Sequence, residues 1–140
     1  MKTTLLLRIA SVLTLIHAAL HEVGQQGAPD AGPQAAAVAA MKMNSFAIFG
    51  VTRSFWEFYR GFSTFATLMM VLIAVLLWML GDLARKDASA ARPMIAAFAF
   101  AFLGMSLIAY KFLVPPPAVM ELLIAGILGF AAIGARKSGA

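Results

Sequence analysis

The chain contains no cysteine. Disulfides, thiol nucleophiles, Cys-x-x-Cys redox pairs and cysteine-ligated metals are therefore excluded as its chemistry. Charge is scarce too: Asp, Glu, Lys and Arg make up 12% of 140 residues, six acidic against eleven basic. No segment alternates apolar and polar residues as a transmembrane β-barrel requires. Internal repeats are also missing, because the histidine-bearing stretch, the aromatic block and the triple proline each occur once.

What fills the sequence is apolar. Hydrophobic residues reach 62% and mean hydropathy is +0.89, against roughly 45 to 50% apolar content in soluble domains. An integral membrane protein is implied. At about 30 residues per span and loop, the length suits about four helices, so the predicted fold is all-α, a four-helix bundle in one transmembrane domain. Nine methionines lie in apolar runs and read as packing residues rather than a copper site.

Four apolar runs cover about residues 5–23, 55–80, 94–113 and 118–134, each close to the ~20 residues that cross a bilayer. Gly81, Pro93 and Pro115 to Pro117 supply the punctuation expected of helix ends. The long connection, residues 24–54, becomes alanine-rich after Pro33 and predicts a short interfacial helix over about 34–43, serving as a spacer or a lid. Four crossings put both termini on one side. Lys2, Arg8, Arg85, Lys86, Arg92, Arg136 and Lys137 would share that side, opposite Lys42, Arg53, Arg60 and Lys111, so it is predicted to be cytoplasmic. The net charge of +5 expresses this bias and does not point to nucleic acid. Lys2, Arg8 and the small residues Ala18 and Ala19 also fit a secretory signal peptide, although His17, His21 and Glu22 are unusual there.

In lipid, small and polar residues mark the inward face of a helix. Four stripes follow at helical spacing: Ala10, Thr14, His17 and His21; Arg53, Glu57, Arg60, Thr64 and Thr67; Ala97, Ala101, Gly104, Ile108 and Lys111; and Ala118, Glu121, Ala125, Gly129 and Ala132. Because the helices alternate in direction, His17, His21, Glu22, Arg53, Trp56, Glu57, Tyr59, Arg60, Tyr110, Lys111 and Glu121 are expected at the outer leaflet as one ligand-binding site. The inner half is mainly Ala, Leu, Ile and Phe, which disfavours a channel or pump.

The stretch "RSFWEFYRGF", residues 53–62, reads as the first turns of the second span. A structural account makes it an aromatic belt with an Arg53–Glu57 pair at i,i+4. Ionisable groups within spans are costly, and their convergence supports functional accounts as well. His17, His21 and Glu57, helped by Glu22 or Glu121, could hold a metal. Alternatively Phe55, Trp56, Phe58, Phe62 and Phe65 could wall a pocket for a small apolar or amphipathic molecule. His17, His21 or Glu57 would then move protons in isomerase-like acid/base chemistry on a lipid-soluble substrate. A pure binder, a homodimer packed through Ala125 and Gly129, and a partner of a larger membrane complex are the non-enzymatic readings.

"LHEVG", "AMKMNSFAIFGVTRSFWEFYRGFS" and "YKFLVPPP", in that order, resemble a group of small four-span bacterial inner-membrane proteins. The shared elements are His-x-x-Gly, here His21 and Gly24, and an aromatic block, here Arg53, Ser54, Trp56, Glu57, Phe58, Tyr59, Gly61 and Phe62. The resemblance implies the four-span fold and a bacterial inner-membrane location, and it brings no settled activity. A looser similarity to DoxX-like four-span proteins rests on size and span count and carries no residue across.

Overall fold

A computed structural model describes residues 2–26 and 31–135. Arg136 and Lys137, counted above for orientation, lie outside them. The described chain is almost wholly helical: α1 (Lys2–Gln26), α2 (Gly32–Met43), α3 (Phe55–Lys86), α4 (Ala88–Phe112) and α5 (Pro115–Gly134), with a hairpin of β1 (Ser45–Ile48) and β2 (Val51–Ser54) between α2 and α3. Helices α1, α3, α4 and α5 are each long and apolar enough to cross a membrane. The protein is a multi-pass, all-α membrane protein.

Several helix ends differ from expectation for local reasons. Gly81 does not stop α3, which continues to Lys86. The glycine serves close packing instead: a Cβ there would stand 3.3 Å from Arg8 Nε and 3.7 Å from Leu7 Cβ. Helix α4 begins before Pro93, at Ala88, because Asp87 caps it by accepting from the Ala90 amide at 3.0 Å. Ser89 adds its hydroxyl to the same Asp87 oxygen at 3.1 Å. Pro93 then lies inside the helix, where the bond it cannot donate would have reached exposed Ser89. The triple proline opens α5 rather than separating it from α4, since Pro115 and Pro116 occupy the first helical positions after extended Val114, where a missing N–H is harmless.

The hairpin was not anticipated. Its strands pair Ser45 with Ser54, Phe46 with Arg53, Ala47 with Thr52 and Ile48 with Val51. Both turn residues have positive φ, 47° at Phe49 and 78° at Gly50, as a two-residue hairpin turn requires. Phe is a poor choice for the first of these positions, which usually takes Asn, Asp or Gly, and that disguises the turn in the sequence.

The described residues form two compact units, divided within α1 and within α3. Unit 1 holds those up to His17 and from Met70 onward; unit 2 holds Ala18 to Met69. In unit 1 one core gathers Leu7 and Ala10 from α1, Leu77, Leu80 and Ala84 from α3, Ile95 and Phe102 from α4, and Ile124 and Leu128 from α5. Hydroxyls tie these helices to one another's backbones. Ser11 donates to the Ala74 carbonyl at 2.6 Å and Ser106 to the Ala118 carbonyl at 2.8 Å. The inward stripes of α1 and α5 lie largely as expected, with Ala10, Thr14, His17, Ala118, Glu121 and Ala125 buried. That of α4 does not: Ala97, Ala101, Ile108 and Lys111 are exposed, and Ala91, Ile95, Phe102, Ser106 and Ala109 face inward. Ile95 and Phe102 share that interface with Ala91, Ser106 and Ala109, and small residues also occur on the exposed faces of α4, so small size alone did not pick out the inward one.

Candidate functional site

In unit 2 the start of α3 follows directly on strand β2, so Arg53 and Ser54 belong to the strand and not to the helix. Ser54 and Glu57 form a reciprocal cap. The Ser54 amide and hydroxyl donate to Glu57 Oε2 at 2.8 and 3.0 Å, and the Glu57 amide donates back to the Ser54 hydroxyl at 3.1 Å. This is a Ser-x-x-Glu capping box, whose signature the sequence carries, and it takes the place of the expected Arg53–Glu57 pair. No such ion pair forms among the described residues. Arg53 instead donates to the Thr52 carbonyl at 3.1 Å. Aromatic rings brace the junction: Phe46 of β1 lies 4.9 Å from Phe55 and 5.2 Å from Phe58.

The end of α1 and one face of α3 carry a connected polar network. Glu22 accepts from Thr67 at 3.2 Å through Oε2 and faces Arg60 Nη2 at 3.6 Å through Oε1. His21 Nδ1 and the Thr67 hydroxyl share a bond of 2.9 Å. A hydroxyl has one proton, so when Thr67 gives it to Glu22 the imidazole Nδ1 must carry a proton and donate. Arg60 also donates to the Gln25 carbonyl at 2.8 Å, and the Tyr59 hydroxyl to Gln25 Oε1 at 2.8 Å. Helix α1 thereby has a late carbonyl satisfied by a cation. Of the residues predicted to converge, His21, Glu22, Tyr59 and Arg60 do so. Gln25 and Thr67 complete the network; Thr67 belonged to a predicted stripe, whereas Gln25 carried no signal of its own.

On the other face of α3 from this network, the start of that helix and the end of β2 line an open groove of about 410 Å³. Its walls are Phe58, Gly61, Phe62 and Phe65, with Arg53 and Glu57 at the polar end. Phe58 and Phe62 meet edge to face at 4.8 Å. Neither Phe55 nor Trp56, both predicted walls, lines it. Trp56 stacks near Tyr59 at 5.7 Å with Lys42 Nζ 5.4 Å from its ring.

No protein-family profile, curated protein or solved structure matches the chain.

The remaining predicted residues belong to unit 1. His17 and Glu121 are buried, and Glu121 Oε2 has no hydrogen-bond partner among the described residues. Tyr110 is 79% exposed, and Lys111 Nζ lies 5.1 Å over the Phe112 ring. Neither is drawn into a polar cluster. Among the described residues no group of three or more His, Asp or Glu side chains is arranged to hold a metal ion. The predicted set of His17, His21 and Glu57 is thus not assembled: His21 is engaged by Thr67, and Glu57 by Ser54.

Proposed function

We propose that the protein is a bacterial inner-membrane binder of a small amphipathic molecule, held in the groove of unit 2 with the hairpin on the outer side of the membrane. The groove itself carries this reading. Three phenylalanines offer an apolar channel for a chain, while Arg53 and Glu57 offer charge for a polar end. Ligand sites of this kind combine apolar walls with a few placed polar groups.

Gly61 gives the reading a clean test. A Cβ at that position meets nothing within 4 Å, so Gly61→Leu fills the groove without disturbing the helix. A photoactivatable fatty acid, crosslinked in membranes and mapped by peptide mass spectrometry, should label residues 58–65 in the wild type and lose that label in Gly61→Leu. Equal labelling of every lipid-facing helix, unchanged by the substitution, would remove the proposal.

Buried Glu121 favours a second reading, acid/base chemistry within the membrane. An unpaired carboxylate oxygen inside a span is expensive and marks functional sites more often than structural ones. Glu121→Gln should then abolish conversion of the lipid-soluble substrate while leaving its binding intact. Equal loss of both would identify a structural role.

A further inference from the structure

We infer that unit 1 carries a second, separate site, at the ends of α1 and α3, for the phosphate headgroup of an anionic phospholipid. Lys2, Thr4, Leu5, Arg8 and Arg85 line a groove of about 500 Å³ there. Lys2 and Arg85 come from the first turn of α1 and the last turn of α3, where membrane-spanning helices emerge among headgroups.

Charge in this groove is unbalanced by construction. Arg8 Nη2 and Arg85 Nη2 lie 2.8 and 3.4 Å from the same Asp82 oxygen, so two guanidinium groups share one carboxylate. Lys2 adds a third cation. The Arg85 side chain is 70% exposed and Lys2 is exposed, so both are open to a ligand. Arg8 is fixed in advance: its guanidinium lies 3.6 Å from the centre of the Trp78 ring, and Gly81 lets the side chain approach α3 closely. The stacked face uses the quadrupole of the indole, while Nη1 stays buried without a hydrogen-bond acceptor among the described residues. The fixed charge of Arg8, two exposed adjustable cations, Lys2 and Arg85, and an apolar flank at Leu5 match a phosphodiester attached to an acyl chain. Basic pockets between spans recognise anionic headgroups by this chemistry.

The site is independent of the groove in unit 2 and of the orientation proposed above. Its test uses nanodiscs of phosphatidylglycerol and phosphatidylcholine in equal parts. The full chain is released into native mass spectrometry and the retained lipids are counted. Wild type should keep phosphatidylglycerol preferentially, and Lys2→Gln/Arg85→Gln should reduce that preference by up to about 30-fold (~2 kcal/mol for two basic residues). Both positions are exposed, so the fold should survive, and an unchanged fluorescence spectrum of Trp56 and Trp78 would verify it. The comparison variant, Lys42→Gln/Lys111→Gln, should keep the preference. An unaffected Lys2→Gln/Arg85→Gln variant would overturn the site. An equal loss in the comparison variant would reduce it to general surface charge. Displacement of the lipid by millimolar inorganic phosphate would overturn a phospholipid as the occupant.

Discussion

Unit 1 and unit 2 are held by different physics. In unit 1, leucine, isoleucine, phenylalanine and alanine from four helices are buried together, and its interhelical hydroxyl bonds run mostly to backbone carbonyls. In unit 2 the only buried residues among those described are Ala18 and Ser63. Side chains bonded to one another, Glu22 to Arg60 and Thr67 and Tyr59 to Gln25, carry unit 2 instead. Packing works in lipid by close fit, since acyl chains are as apolar as leucine. Polar ties work because their unpaired alternative is costly. A close-fitted region should therefore be intolerant of lost volume, and a polar one of lost partners.

The largest expected effect is in unit 1. Phe102→Ala should destabilise it by about 2 kcal/mol, below the soluble range because lipid supplies no transfer term and only the cavity remains. Denaturation in mixed micelles of sodium dodecyl sulfate would measure it. A neutral result would mean that the α4 interface is not close-packed.

A smaller effect is expected in unit 2. Arg60→Gln removes the bond to the Gln25 carbonyl and the partly exposed Glu22 pair, together worth about 1 kcal/mol after allowance for screening. Hydrogen exchange should quicken over residues 21–26 and stay unchanged over 95–109. Faster exchange in both stretches would erase the distinction between the units.

The opposite sign is expected at the hairpin tip. Phe49 is fully exposed and has φ 47°, a conformation that an L-residue holds at a penalty of roughly 1 kcal/mol. Phe49→Gly should slow amide exchange in β1 and β2. If exchange quickens, the ring has a stabilising contact that offsets its backbone strain.

The smallest effect concerns pH. The Ala90 amide first, and the Ser89 hydroxyl second, hold the Asp87 carboxyl below the usual aspartate range. A depressed value means that the cap stabilises α4 fully above that range and is lost as pH falls through it. Exchange at the first turn of α4 should quicken on going from about pH 7 to about pH 3. Asp87→Asn, which keeps an acceptor without the charge, should show little of that dependence.

The four spans were legible because composition and span length leave little choice in a bilayer. Inward faces were legible where small or polar residues mark one face, as in α1 and α5, and illegible in α4, where alanines stand on several faces and Ile95 and Phe102 belong to the buried one. The network of His21, Glu22, Tyr59 and Arg60 could be anticipated from helical spacing. The role of Glu57 was legible as well, because Ser54 three residues before it spells a capping box; helical spacing alone favours the pairing with Arg53 that the preceding strand prevents. Asp82 carries no signal in the sequence, since a lone acid near a helix end looks like a solvated charge. Its partner is 74 residues away.

That separation has a consequence for how the protein is made. Arg8 lies within α1, and its counterion Asp82 is synthesised 74 residues later. At about 5 to 20 residues per second, the first helix waits roughly 4 to 15 s with an uncompensated guanidinium. During that interval Asp82 is absent, and lipid headgroup phosphates at the end of α1 are the counterions within reach of Arg8.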